Sequence, residues 1–117
     1  MKEDKNEIFD NKKKIVDEKK LKSGGNIPVI CERAPECKDL KELKRKKFLL
    51  KPELTLLKFY TILVELLEIN KKEDALFLLA SGKYVLSLSD TFQTIYAKYK
   101  EKDNILHINY TAKEIFG

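Results

Sequence analysis

The chain has 117 residues, 43% of them apolar, which suffices for one domain with a modest core and no disulfide or metal to hold it. Charged residues make up 37%, but 24 Lys and Arg against 19 Asp and Glu leave only +5, and no Lys/Arg stripe with interleaved aromatics marks nucleic acid as a partner. Two cysteines without paired spacing exclude a disulfide framework or zinc site, no apolar run spans a bilayer, and Glu3, Asp4, Glu7 and Asp10 break up the N-terminal lysines as no presequence does.

In chain order, residues 1–22 are rich in Lys, Glu and Asp. Ile8, Phe9, Ile15, Val16 and Leu21 form a narrow stripe that predicts one or two short amphipathic helices. Ser23-Gly24-Gly25-Asn26 breaks any helix, so residues 1–26 form an extension with a hinge, and the domain proper is 27–117. Residues 27–33, rich in branched side chains and ending before Ala34-Pro35, predict a strand with Pro28 near its start. Residues 46–51 predict a second strand, in which Phe48 and Leu50 alternate with Lys47 and Leu49. Thr55 caps the long amphipathic helix that follows, where Leu56, Leu57, Phe59, Tyr60, Leu63, Leu66 and Leu67 recur at helical spacing.

The continuous apolar run 75–80 suits a central strand buried on both faces, ended by Ser81-Gly82. Ser87, Ser89 or Asp90 is the expected cap of a second helix, with Phe92, Ile95, Tyr96 and Tyr99 on one face. Residues 105–110 alternate as a last strand. The order strand, strand, helix, strand, helix, strand predicts an α+β grasp: a mixed four-stranded sheet packed on one long helix.

No catalytic machinery is expected. His107 is the only histidine and lies in an alternating strand with no flanking ligand pair, so it is the single candidate base for any nucleophile, and structural or surface duty is expected of it before catalysis or metal binding. Cys31 reads as a small apolar strand residue, and Cys37, in a polar connection, as exposed. No Gly-rich phosphate loop follows a strand, and no cofactor is implied.

Several blocks, in this order, resemble the GABARAP and light-chain group of autophagy modifiers, the autophagy-related protein eight family. They are Ile27-Pro28-Val29-Ile30-Cys31-Glu32 with Ala34-Pro35, Lys46-Lys47-Phe48-Leu49, Leu54-Thr55 with Phe59-Tyr60, Asp74-Ala75-Leu76-Phe77, Ile95-Tyr96 and Phe116-Gly117. The resemblance implies a ubiquitin-like β-grasp core with an N-terminal helical extension, and a non-enzymatic modifier. In that family an activating enzyme adenylates the terminal glycine, a conjugating enzyme carries it as a thioester, and it is bonded to the amine of phosphatidylethanolamine. A cysteine protease reverses the linkage.

Carried over to this chain, the lipid attaches to Gly117. The protein would be cytoplasmic and also lipid-anchored on autophagosomal or related membranes, where it docks cargo receptors and autophagy machinery. Their extended peptides carry an aromatic and an aliphatic anchor and add to the edge of the second strand. The resemblance places Pro28, Lys47, Leu49 and Ile105 around the aromatic anchor and Phe48, Leu50, Leu54 and Ile62 around the aliphatic one. Arg45 and Lys47 would attract acidic residues beside them. Val64-Glu65-Leu66 stands where the family usually has a basic residue late in the long helix, Lys51-Pro52 replaces the commoner apolar-proline pair, and the loop after Ala80 lacks the usual prolines. Two alternatives are a sister modifier joined to a protein lysine, which also ends in an aromatic residue plus glycine, and a ubiquitin-like interaction domain that is never conjugated.

Overall fold

The structure is a computed structural model and describes residues 25–69 and 76–112. The expected N-terminal helices, Asp74-Ala75 and Phe116-Gly117 lie outside the described residues. Five strands form one mixed sheet: β1 (Ile27–Arg33), β2 (Lys47–Leu50), β3 (Leu76–Ala80), β4 (Tyr84–Val85) and β5 (Leu106–Ala112), in the spatial order β2-β1-β5-β3-β4. β1 runs parallel to β5, and the other neighbours are antiparallel. Two helices, α1 (Leu56–Leu66) and α2 (Phe92–Tyr99), complete the α+β grasp.

The sheet has one strand more than the sequence pattern predicts; the apolar run forms β3, an interior strand between β5 and β4 that is buried along most of its length, and β5 takes the middle place. The extra strand follows from the turn that ends β3. Ser81 and Gly82 both have positive φ, 53° and 69°, and Lys83 N–H donates to Ala80 C=O at 2.9 Å. This is the signature of a type I′ turn, whose twist suits a hairpin, so the chain folds back as β4.

α1 buries Leu56, Phe59, Leu63 and Val64, a 3–4 spacing that sets one stripe against the sheet. Thr55 Oγ1 accepts from Lys58 N–H at 3.3 Å as the cap. At the other end Glu68 is left-handed, φ 55°, with Ile69 N–H on Val64 C=O at 3.1 Å and Glu68 N–H on Glu65 C=O at 3.2 Å. These are the two bonds of a Schellman motif, built on glutamate instead of glycine. The Lys41 ammonium binds the Glu68 carboxylate, and that hydrogen bond holds the carboxyl below its ordinary range.

The cap of α2 is Thr91, whose Oγ1 accepts from Thr94 N–H at 3.3 Å, and not Ser87, Ser89 or Asp90. The reason is non-local. Thr55 and Thr91 bridge each other as an isolated antiparallel pair, and the two helix starts exchange backbone bonds: Leu56 N–H to Asp90 C=O and Phe92 N–H to Leu54 C=O, both 2.9 Å. The amides that a helix leaves unpaired at its start are thereby satisfied.

Val29, Cys31, Leu56, Phe59, Leu63, Phe92, Ile95, Leu106, Ile108 and Tyr110 form the closed centre of the core. Cys37 is buried with them, at 1% exposure, against the expectation from its polar neighbours. Tyr110, deep in β5, reaches into this connection: its hydroxyl accepts from Leu43 N–H at 3.1 Å and donates to Lys41 C=O at 2.6 Å. Residues 34–46 are thus held down on the core, with Leu40 and Leu43 also buried. Cys31 is a buried free thiol, as its strand position suggested, and burial pushes its thiol up. Because both thiols are buried, neither cysteine is expected to take up a maleimide in the native state. Mass spectrometry with and without urea tests this; labelling of Cys37 at the rate of a free thiol without urea would contradict its burial.

Candidate functional site

β2 has β1 on one side and, among the described residues, no strand on the other. Its register with β1 pairs Leu50 with Ile27, Leu49 with Pro28, Phe48 with Val29 and Lys47 with Ile30. Cys31 N–H donates to Lys46 C=O at 2.8 Å. By the alternation of an antiparallel ladder, residues 46, 48 and 50 then bond inward to β1, while Lys47 and Leu49 turn their N–H and C=O groups to the open edge. Pro28 falls opposite Leu49, so its ring nitrogen turns away from β2 toward the β5 side, and it stands one residue ahead of the first β1–β5 pair, Val29 with Leu106, at the strand start where proline is tolerated.

The same alternation sorts the side chains. Phe48 and Leu50 lie on the α1 side of the sheet and, with Leu54, pack against the core cluster. Phe48 meets Phe59 edge to face, 5.3 Å between centroids at 85°. Ile62 stands on α1, 40% exposed, and Leu66 one turn further, 54% exposed. Leu49 and Pro28 share the opposite face. Ile105 immediately precedes Leu106, the partner of Val29, so the pleat places it beside Pro28. Ile105 is buried yet lies outside the core cluster, as that face requires. Lys47, opposite Ile30, completes this second set. The residues expected around the aromatic anchor thus share one face, and those expected around the aliphatic anchor share the other side of the same edge.

Arg45 bridges the edge itself. Its Nε donates to Lys47 C=O at 3.2 Å, and its guanidinium lies 5.7 Å from the Phe48 ring centroid. One outward acceptor of β2 is therefore held by a cationic side chain. Leu66, at i+4 from Ile62 on the same helix, belongs to the Val64-Glu65-Leu66 stretch that stands where the family usually has a basic residue.

Elsewhere, an open cleft of about 590 Å³ lies between the turns at Pro35 and Gly82, away from β2. His107 Nε2 is 2.9 Å from Asp103 Oδ2. Among the described residues no cluster of three His, Cys, Asp or Glu is gathered for a metal ion, and no helix is long and apolar enough to cross a membrane.

A mixed sheet wrapped on one long helix, with an open edge strand flanked by apolar sets on both sides, defines a ubiquitin-like protein of the β-grasp class. The family model described as autophagy protein Atg8, ubiquitin like, matches residues 10–117, and the chain belongs to this family of autophagy proteins. Human microtubule-associated protein 1 light chain 3 gamma is 35% identical over 98 residues, 84% of this chain and 66% of that protein, so the chain spans slightly less than two thirds of that relative. Autophagy-related protein 8 of Pichia angusta is 31% identical over 91 residues, 78% of this chain and 70% of its own length. The crystal structure of Trypanosoma brucei ATG8 superposes with a TM-score of 0.68 at 31% identity, covering 80% of this chain and 78% of that one.

Proposed function

We propose that this protein is a non-enzymatic modifier joined through Gly117 to phosphatidylethanolamine, and that its β2 edge receives short peptides of cargo receptors and autophagy machinery. The observation that carries the docking half is the open edge at Lys47 and Leu49, with one apolar set on each side. An extended peptide paired there gains backbone bonds, and side chains an odd number of positions apart point to opposite faces. Its aromatic anchor goes to Pro28, Leu49 and Ile105, with Lys47 at the rim. Its aliphatic anchor goes to Phe48, Leu50, Leu54 and Ile62. Arg45 must release Lys47 C=O as the peptide enters, and with Lys47 it then faces acidic residues beside the anchors.

For conjugation the chain supplies only a carboxylate on a residue without Cβ, which suits narrow enzyme channels. The activating and conjugating enzymes supply ATP chemistry and the thioester, and a cysteine protease removes the lipid. The two acyl chains of one phospholipid give the double anchor that stable attachment needs, placing the cytoplasmic protein on autophagosomal or related membranes.

Two measurements test this reading. Incubation with the matching enzymes, ATP and phosphatidylethanolamine liposomes should add one lipid mass at Gly117. A stable adduct to a protein lysine would instead identify the protein-linked class, and no adduct from active enzymes the unconjugated one. In peptide titrations, Leu49→Ala is expected to weaken an aromatic-aliphatic peptide by about tenfold, the scale of one truncated interface anchor, with folding unchanged. Unaltered affinity would move the docking surface off β2.

A further inference from the structure

We infer that the opposite edge of the sheet, around β4, is a contact surface for an anionic membrane. Tyr84 and Val85 are 52% and 56% exposed on a strand of only two residues. Tyr84 stacks on Tyr99 of α2, 5.3 Å between centroids at 28°, and Lys98 Nζ lies 5.8 Å from the Tyr99 centroid. Lys83 is exposed next to Tyr84. Over residues 83–102 four lysines (83, 98, 100 and 102) face two acids, Asp90 and Glu101, and Glu101 is engaged by the Ser81 hydroxyl. Among the described residues neither Lys83 nor Lys98 has a carboxylate partner.

The chemistry selects the partner. Tyrosine has an apolar ring and a polar tip, which suits the headgroup level of a bilayer, and cations beside it suit acidic lipids. A two-residue edge gives an acidic peptide too short a ladder to pair with. The surface also lies within reach of the proposed anchor, and this part of the argument rests on conjugation at Gly117. Val85, Leu79 and Asn109 are level in the register, so Ala112 is two strands across and three residues along from Val85, about 14 Å away by standard sheet spacings. Five further residues reach at most about 17 Å. A protein tethered at Gly117 can therefore lay this edge on the same bilayer while leaving β2, at the far side of the sheet, free for peptides.

The test uses the unconjugated chain, so that its outcome is independent of lipidation. Co-sedimentation is measured with phosphatidylcholine vesicles with and without phosphatidylserine. The wild type should bind the anionic vesicles and lose them as salt is raised. The double variant Lys83→Ala/Lys98→Ala should reduce partitioning by about tenfold or more, since each lysine near such a surface contributes about fivefold. Tyr84→Ser/Val85→Ser should weaken it severalfold, with circular dichroism unchanged, while Lys38→Ala/Lys44→Ala, on the β1–β2 connection, should have the smaller effect. Equal binding to neutral vesicles, wild-type binding by either β4-edge variant, or an equal loss in the Lys38/Lys44 control would overturn the inference. So would tighter binding of the same edge to a polyglutamate peptide than to vesicles. A negative result here leaves conjugation at Gly117 standing, and failure of conjugation leaves the vesicle result standing.

Discussion

Replacing Phe59 by Ala is expected to destabilise the protein by about 3–5 kcal/mol, the usual scale for a buried Phe truncated to Ala. Phe59 is 1% exposed and lies between two rings, edge to face with Phe48 of β2 at 5.3 Å and with Phe92 of α2 at 5.4 Å. It is the side chain through which α1 grips both the open edge strand and the second helix. The loss is a cavity together with two aromatic contacts, each about 0.5–1.5 kcal/mol beyond burial. For a domain with about 5–15 kcal/mol in total, that is a large share. Urea unfolding should show a lower midpoint with an unchanged slope. Leu57→Ala on the exposed face of the same helix, at 53% exposure, should stay within about 0.5 kcal/mol of wild type. Because Phe48 loses its backing, peptide affinity at β2 should fall in Phe59→Ala even where the protein remains folded. A loss of stability below about 1 kcal/mol would mean that the three rings do not form the centre of this core.

What the sequence made legible was local. The 3–4 spacing from Leu56 to Leu67 identified α1, and Thr55 identified its cap, because both signals lie within one turn of the residues concerned. The alternation of Phe48 and Leu50 with Lys47 and Leu49 already divided β2 into two faces. The misses were features decided by distant partners. Thr91 displaces three plausible capping residues because Thr55, 36 positions earlier, bridges to it. β5 takes the centre of the sheet because it pairs in parallel with β1, which no short window encodes. Cys37 is buried because Tyr110 draws its connection inward. β4 differs, since Ser81-Gly82 is a local hairpin signal that both ends β3 and starts its return. At the site, the faces of β2 were readable from alternation, whereas the open edge and the Arg45 contact with Lys47 C=O depend on the fold.

Tyr110→Phe is expected to cost about 1–3 kcal/mol, the penalty for leaving buried backbone groups unpaired, although it removes a single oxygen. That oxygen satisfies Leu43 N–H in a buried bond and Lys41 C=O in a part-buried one. The freed connection should also make Cys37 label faster, without a comparable change at Cys31, whose place is fixed inside β1. Alkaline titration separates the hydrogen bond from ring packing. Burial pushes the Tyr110 phenol up to about 12 from an ordinary 10, and the Leu43 N–H, which favours the phenolate, offsets this only in part. The neutral phenol is thus the form the fold prefers, and the folded chain holds this proton at pH values where the unfolded chain has released it. Its contribution is complete below pH 10 and is lost as pH rises from 10 to 12. The informative quantity is the stability difference between wild type and Tyr110→Phe, in which every other group cancels. Measured by urea unfolding, that difference should be constant from pH 7 to 9 and narrow above pH 10. A gap close to zero at pH 7 would show that the loop is held by the packing of the ring and that the hydroxyl contributes little, and a full gap that stayed constant through pH 11 would show that folding does not raise this phenol.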